Sequence, residues 1–375
     1  MKPLAGILVV SLDQAVAAPL ASRRLADAGA RVIKLERPEG DFARYYDDWV
    51  GGQSTHFSWL NRGKESVVLD LGNERDRRLF DALLAKADIL LQNLKPRALA
   101  KLGYPIDEVR RCHEKLICCS ISGYGDEGPY RDRKAYDTLI QAESGLASIT
   151  GGAEAPARVG ISVVDICTGL HAYEALLEAL IARGRTGRGA DIRVSMFDTM
   201  MELMAVPMLS TKYGIALTRL GLSHPSLAPY GVFQTADHIA ILIAIQNDRE
   251  WRTLCARVLD RPAAGKDPRF ATSIARTKNR HATDGLIAGF IASKPFDTLA
   301  RLFEEAEIAF ARVNDVCGIL EHPHLREISI ASPAGPLALP APPARMVGEA
   351  PSFGPLPRLG EHTERVRSEF LGSLS

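Results

Sequence analysis

The stretch GILVVSLDQAVAAPLASRRLADAGARVIKLE, Gly6 to Glu36, decides the fold. Its first part, GILVVSL, is a run of apolar and β-branched residues and reads as a strand. The middle, APLASRRLADAGA, has helical spacing and meets Gly29 near its stop. RVIKLE then returns to a strand. Strand, helix and strand within 31 residues make a parallel unit with a crossover.

The pattern continues outward. SVVLDL (66–71) is a third strand, followed by the charged amphipathic helix ERDRRLFDALLAKA (74–87). DILLQN (88–93), KLICCSIS (115–122) and, later, ADIRVSM (190–196) are further strands. The fold class expected is α/β, with a Rossmann-like, doubly wound large domain. Its ligands belong beyond the carboxyl ends of the strands. After residue 200 the pattern changes to a hairpin, APYGVFQTADHIAILIAI (228–245), turning at Ala236 to His238. Helices follow over DREWRTLCARVL (248–259), from about Ala271 to Ser293, and over FDTLARLFEEA (296–306). The domain expectation is a large domain over 1–200, a linker over 201–225, a smaller α+β domain over 226–324, and a return to the large domain over 325–375. The proline-rich SPAGPLALPAPPARM (332–346) reads as an extended crossing. EHTERVRSEFLGSL (361–374) reads as a final helix.

Composition narrows the function. The chain has 375 residues, 46% of them hydrophobic, and a net charge of +1, so a general binder of nucleic acid or anionic membrane is not expected. The six cysteines, at 112, 118, 119, 167, 255 and 317, form no CxxC and no zinc-ligand spacing, and read as reduced cytoplasmic thiols. The N-terminus reads as a strand and not a secretory signal. There is no apolar run of about 18 residues that would span a membrane. No metal site is expected: His322 and His324 flank a proline in EHPHLRE without a carboxylate motif.

Four candidate sites stand out. GYGDEG (123–128) fits G-x-G-x-x-G, but Pro129 and a polar stretch follow it where a dinucleotide fingerprint needs a helix, so no nicotinamide or flavin site is expected. Cys167 and His171 share a helix face and could form a thiolate pair; a core thiol beside a histidine is the simpler reading. Arg37, Arg62, Lys64, Lys95, Arg97, Lys101 and Lys134 follow successive strands, which suggests a phosphate-bearing ligand. Asp165 opens the helix within GISVVDICTGLHAYEALLEAL (160–180). Helix capping explains it without further assumption, and a nucleophilic carboxylate is the alternative.

Taken together, ADAGARVIKLERPEGD (26–41), NRGKESVVLDL (61–71), ILLQNLKPRALAKLGY (89–104), SISGYGDEGPY (120–130) and RGRTGRGADIRVSMFD (183–198) resemble the class III CoA-transferases in order and spacing. That formyl-CoA-transferase-like family includes carnitine-CoA transferase relatives and the α-methylacyl-CoA racemases. The resemblance implies a Rossmann-like domain built from both chain ends, a small domain between them, and an interlocked homodimer. It places the catalytic aspartate at Asp165, acting through an aspartyl anhydride and an aspartyl-CoA thioester. It implies that coenzyme A, a cosubstrate and not a tightly bound cofactor, meets Val16, Arg37, Leu71 with Asn61 to Lys64 nearby, Asn93, Lys101, Lys134 and Tyr136.

Two departures qualify it. The position at which the family often carries glutamine is Val16, with Gln14 two residues earlier. The stretch matching a glycine-rich loop is AIQNDREW (244–251), without glycine, which points away from formate or oxalate. The racemase branch carries histidine in a GHD stretch; here it is AYD, with Tyr136 in that place, and tyrosine, with an ordinary pKa of ~10, is a poor base. HPSLAPYGVFQTAD, IQNDREW and LPAPPARM resemble the branch that handles small dicarboxylates, with succinyl-CoA as donor and itaconate, citramalate or mesaconate as acceptor. His224 or Arg219 could meet a second carboxylate. A CoA-binding relative without catalysis is the non-enzymatic alternative, against which Asp165, Lys134 and Tyr136 together argue.

Overall fold

In a computed structural model, which describes residues 2–348 and 352–372, the opening unit forms as read. Strand β1 (Leu8–Leu12) leads through the helix Ala17–Asp27 to β2 (Arg31–Glu36). Val9, Val10, Val32 and Ile33 are all but fully buried, as expected of parallel strands covered on both faces. With β3 (Lys64–Val68), β4 (Ile89–Gln92), β5 (Ile117–Ser122) and β6 (Asp191–Ser195) they form a parallel sheet in the order β3-β2-β1-β4-β5-β6. The order reverses between β1 and β4, and that switch point opens a crevice beyond their carboxyl ends.

Two apolar layers sandwich the sheet. On one side Leu79, Phe80 and Leu83 of the helix Glu74–Leu84 meet Ile33, Leu90 and Val366. On the other, Ala17, Ala18, Ala21 and Leu25 meet Ala172 and Leu176 of the long helix Val163–Thr186. These two helices cross at Gly169, where a Cβ would lie 2.5 Å from the Ala17 carbonyl oxygen. Only glycine permits that approach, and it brings the start of the long helix beside the loop after β1.

The C-terminal segment closes the outer edge of β3. Gly63 N–H donates to the Pro355 carbonyl (2.8 Å), Ser66 N–H to His362 Nδ1 (3.2 Å) and Val68 N–H to Thr363 Oγ1 (2.9 Å). His362 N–H returns a bond to the Ser66 carbonyl (3.0 Å). The last helix, Thr363–Leu371, sends Val366 into the first layer; Ser373 and Leu374 of the helix expected there lie outside the described residues.

The proline-rich return is not merely extended. Glu327–Ser332 (β10) and Gly335–Pro340 (β11) pair as an antiparallel hairpin. Proline fits because both members of a two-stranded sheet are edge strands, with an outward side that needs no N–H. Ile330 packs there with Phe57 and Leu356.

Contacts divide the chain into two units: residues 1–146, 158–206 and 326–375, and residues 147–157 and 207–325. The second therefore begins before the 226–324 expected, and the helices Met196–Leu203 and Ala205–Lys212 occupy half of the expected linker. Within it, β7 (Tyr230–Gln234), β8 (Ala240–Ala244) and β9 (Ala309–Arg312) form an antiparallel sheet. Ile241, Ile243, Trp251, Leu299 and Phe303 fill its core. The helix expected over 271–293 is two helices, Ser273–Lys278 and Arg280–Ala292, divided at Asn279.

Candidate active site

The crevice at the switch point is walled by the loops after β1 and β4. Their backbones are stitched by one side chain: Asn93 Oδ1 accepts from Gln14 N–H (2.9 Å) and Asn93 Nδ2 donates to the Gln14 carbonyl (2.8 Å). The stitch supports Ala15 at φ +61°, an unfavourable conformation for a residue with a Cβ. The cleft has a volume of about 680 Å³ and includes Asp165, Tyr136, Lys134, Arg97, Tyr46 and His56 in its lining. A second cavity of about 440 Å³, lined by Arg37 and Leu71, adjoins it. The two share Gln14, Leu94, Lys95, Ala98 and Lys101. Together they have the size of a site for an extended cosubstrate.

Asp165 sits in the first turn of the long helix but does not cap it. Asp137 does. Its Oδ2 accepts the backbone N–H groups of Val164 (2.8 Å) and Asp165 (3.2 Å). Its Oδ1 accepts from Gln141 Nε2 (2.5 Å), and Gln141 Oε1 accepts from Val159 N–H (2.8 Å). The capping role that local sequence suggests for Asp165 is thus filled by a buried carboxylate 28 residues earlier. The Asp165 carboxyl has no hydrogen-bond donor among the described residues. Burial, reinforced by the Asp137 carboxylate, pushes it up to about 7. Tyr46 nearby is pushed up to about 12 by burial and by Asp41, Asp165 and Tyr136, and stays a neutral phenol.

The basic residues after the strands separate into two groups. Arg37, Lys95, Arg97, Lys101 and Lys134 are exposed and line the cavities. Arg62 and Lys64 do not. Arg62 is buried against Asp27, at 3.0 and 2.6 Å. Lys64 Nζ is sealed among Asp13 Oδ2 (3.1 Å), the Pro19 carbonyl (3.1 Å) and Asn61 Oδ1 (2.8 Å). The expected contact of residues 61–64 with a ligand is corrected: these groups serve the interior. Lys34 completes that buried cluster, donating to Asp13 Oδ1 (2.6 Å) and Asp41 Oδ2 (2.9 Å). Asp41 Oδ1 in turn accepts from the backbone of Ala15 (3.2 Å) and Ala43 (2.9 Å), so one ion cluster underlies two walls of the cleft.

The family description CoA-transferase family III matches residues 4–363. The chain is 36% identical to the acetyl-CoA:oxalate CoA-transferase of Acetobacter aceti, over 98% of this chain and 96% of that protein. It is 33% identical to the succinate–glutarate CoA-transferase of Agrobacterium fabrum, over 98% and 95%. Among solved structures, a CAIB/BAIF family protein from Brucella suis superposes with a TM-score of 0.82 at 33% identity, covering 98% of this chain and 99% of that one. The chain belongs to CoA-transferase family III. It is a class III CoA-transferase, and enzymes of that kind use CoA thioesters as cosubstrates.

Within this CoA-transferase the remaining candidates find their places. Val16 is 3% exposed and packs with Leu20 and Leu60; only its edge reaches the cleft, and the half-buried amide there is Gln14. The Cys167 thiol is pushed up by burial and then by Asp137, which opposes a thiolate, and His171 Nδ1 lies 3.4 Å from Glu174 of its own helix. No helix follows Gly128 until Asp137, so GYGDEG lacks the helix a dinucleotide site requires. Arg219 donates to the Gly152 (3.0 Å), Ser148 (3.3 Å) and Ala153 (3.1 Å) carbonyls, and His224 stacks on Tyr230, all within the second unit. Neither lines the cleft around Asp165. Asp137, Tyr46 and His56 do, and no local pattern marks them. Among the described residues no helix is long and apolar enough to cross a membrane.

Proposed function

We propose that this transferase moves CoA from a donor such as succinyl-CoA to a small dicarboxylic acid, with Asp165 as the nucleophile. The observation that carries the reading is a carboxyl relieved of capping duty by Asp137, placed in a cleft whose lining includes Lys95, Arg97, Lys101 and Lys134.

An Asp165 oxygen attacks the thioester carbonyl, the C–S bond breaks, and CoA thiolate leaves an acyl-aspartyl anhydride. The thiolate attacks the aspartyl carbonyl, releases the donor acid as its carboxylate, and forms an aspartyl-CoA thioester. An acceptor carboxylate displaces the thiolate to give a second anhydride. Thiolate attack on the acceptor's acyl carbon then yields the new thioester and restores Asp165. Each step exchanges one acyl bond for another of similar reactivity, and no net proton moves. Tyr46 and Gln14 line the same cleft and can donate to the oxyanions that form.

CoA lies across both cavities in this reading. Arg37, Lys95 and Lys101 meet its phosphates, Leu71 lies under its apolar parts, and Asn93, Lys134 and Tyr136 flank the path to Asp165. The enzyme works as an interlocked homodimer in the cytoplasm, with CoA as cosubstrate and no tightly held cofactor. Relatives named for glutarate and mesaconate support a dicarboxylate acceptor. A relative is also named for oxalate, so the glycine-free stretch 244–251 does not by itself narrow the acid.

The test is rapid mixing with succinyl-CoA, quenching with hydroxylamine or borohydride, and peptide mapping. A mass change on the peptide carrying Asp165 is expected. An unmodified Asp165 across several acyl-CoA donors overturns the reading.

A further inference from the structure

The cleft around Asp165 has an asymmetric distribution of cations. Lys95, Arg97 and Lys101 come from the chain after β4, and Arg133 and Lys134 from the chain after β5. A separate stretch, residues 42–56, contributes Phe42, Tyr46 and His56. Of these three, His56 is the one that can become a cation. It is held from behind. Its Nδ1 is buried without a hydrogen-bond partner among the described residues and lies 3.9 Å from Asp47 Oδ2, an ion-pair distance once the ring is protonated. Asp47 is itself fixed by the Thr55 N–H (2.9 Å) and hydroxyl (2.7 Å). The Tyr46 ring stands edge-on to the imidazole at 5.4 Å.

The His56 side chain is nevertheless 40% exposed. With Nδ1 buried, that exposure belongs to the rest of the ring, and His56 is part of the cleft lining. Tyr46, beside His56, lines the same cleft as Asp165 and Tyr136.

We propose that His56 is a specificity-determining residue that binds the second carboxylate of a dicarboxylic substrate while the first reacts at Asp165. This rests on the transferase reading above. An imidazole ring held beside the fixed Asp47 carboxylate can present one N–H donor to the substrate, and the β4 and β5 side is left to the cosubstrate phosphates. It also gives the cleft a reason to prefer a diacid over a monoacid of equal length.

The experiment compares glutarate with pentanoate, which differ by one terminal carboxylate. Both are titrated as inhibitors of label exchange between succinyl-CoA and succinate, in the wild type, His56→Leu and His56→Gln. The wild type is expected to prefer glutarate, and His56→Leu to lower the ratio of the two inhibition constants at least tenfold. His56→Gln, which keeps an N–H donor, falls between. Exchange that persists with an unchanged ratio overturns the proposal alone. A wild type that exchanges no label with any acyl-CoA overturns the transferase reading, and the proposal with it.

Discussion

Asp137 Oδ2 accepts the backbone N–H of Asp165 at 3.2 Å, so one carboxylate both anchors the reactive residue and raises its proton affinity. Asp137→Asn keeps an acceptor for the helix N-terminus but removes the charge. The midpoint for ionisation of Asp165 is expected to fall below about 7, toward the ordinary carboxyl range. The check is the pH dependence of acyl-enzyme formation in single-turnover mixing. Its acid limb should move to lower pH in the variant. Asp137→Ala also loses the cap, and its stability should drop by about 1 kcal/mol in denaturant melts.

In the wild type the same step should accelerate with rising pH and level off above about 7, because only ionised Asp165 attacks. A rate independent of pH between 5 and 8 would sink the assignment of that carboxyl as nucleophile.

A carboxyl that is harder to ionise when folded costs stability at high pH. Its folded value lies above its unfolded one, so its penalty is absent below about pH 4 and grows as pH rises toward 7. Asp165→Asn should therefore melt higher than the wild type at pH 8, by roughly 2 °C or more, and match it at pH 4. Thermal melts at the two values test this, and they need no substrate.

Lys101, on the chain after β4, and Lys64, the first residue of β3, are both basic residues near a strand end and should behave oppositely. Lys101→Ala removes an exposed charge at the junction of the two cavities and should raise the KM for acyl-CoA about fivefold to tenfold, with the effect shrinking in added salt. Lys64→Ala strips a partner from the buried Asp13 and should cost several kcal/mol of stability. Salt-dependent kinetics and denaturant melts separate the two.

Gly169→Ala is a further substitution of interest. Its Cβ would meet the Ala17 carbonyl at 2.5 Å, and one of the two crossing helices must move. A loss of about 1–3 kcal/mol is expected. Because Asp165 lies one turn away on the same helix, turnover should fall more than acyl-CoA binding.

The sheet was legible because its strands are short apolar runs separated by helical spacing, and that pattern is local. Five of the seven basic residues singled out line one or both of the two adjoining cavities. Arg62 and Lys64 escaped because nothing near them in sequence announces Asp27 or Asp13 as a partner. Asp137 escaped for the same reason: its work is done on a helix that begins 26 residues later. The prolines of 332–346 suggest an extended crossing because proline argues against strands in general, whereas here each strand has a free edge. The break at Asn279 was hidden beneath a helical spacing that runs straight through it.

The closure of the β3 edge by residues 355–363 has a consequence for how the protein is made. Until these residues leave the ribosome, the N–H groups of Gly63, Ser66 and Val68 have no mates, and a bare strand edge invites pairing with another chain. Residues 207–325 are already synthesised by then, so the unit whose first strands emerge earliest is the one completed last. A truncation that removes residues 355–363 should therefore be read out first as aggregation during expression, well before any loss of catalysis is measurable.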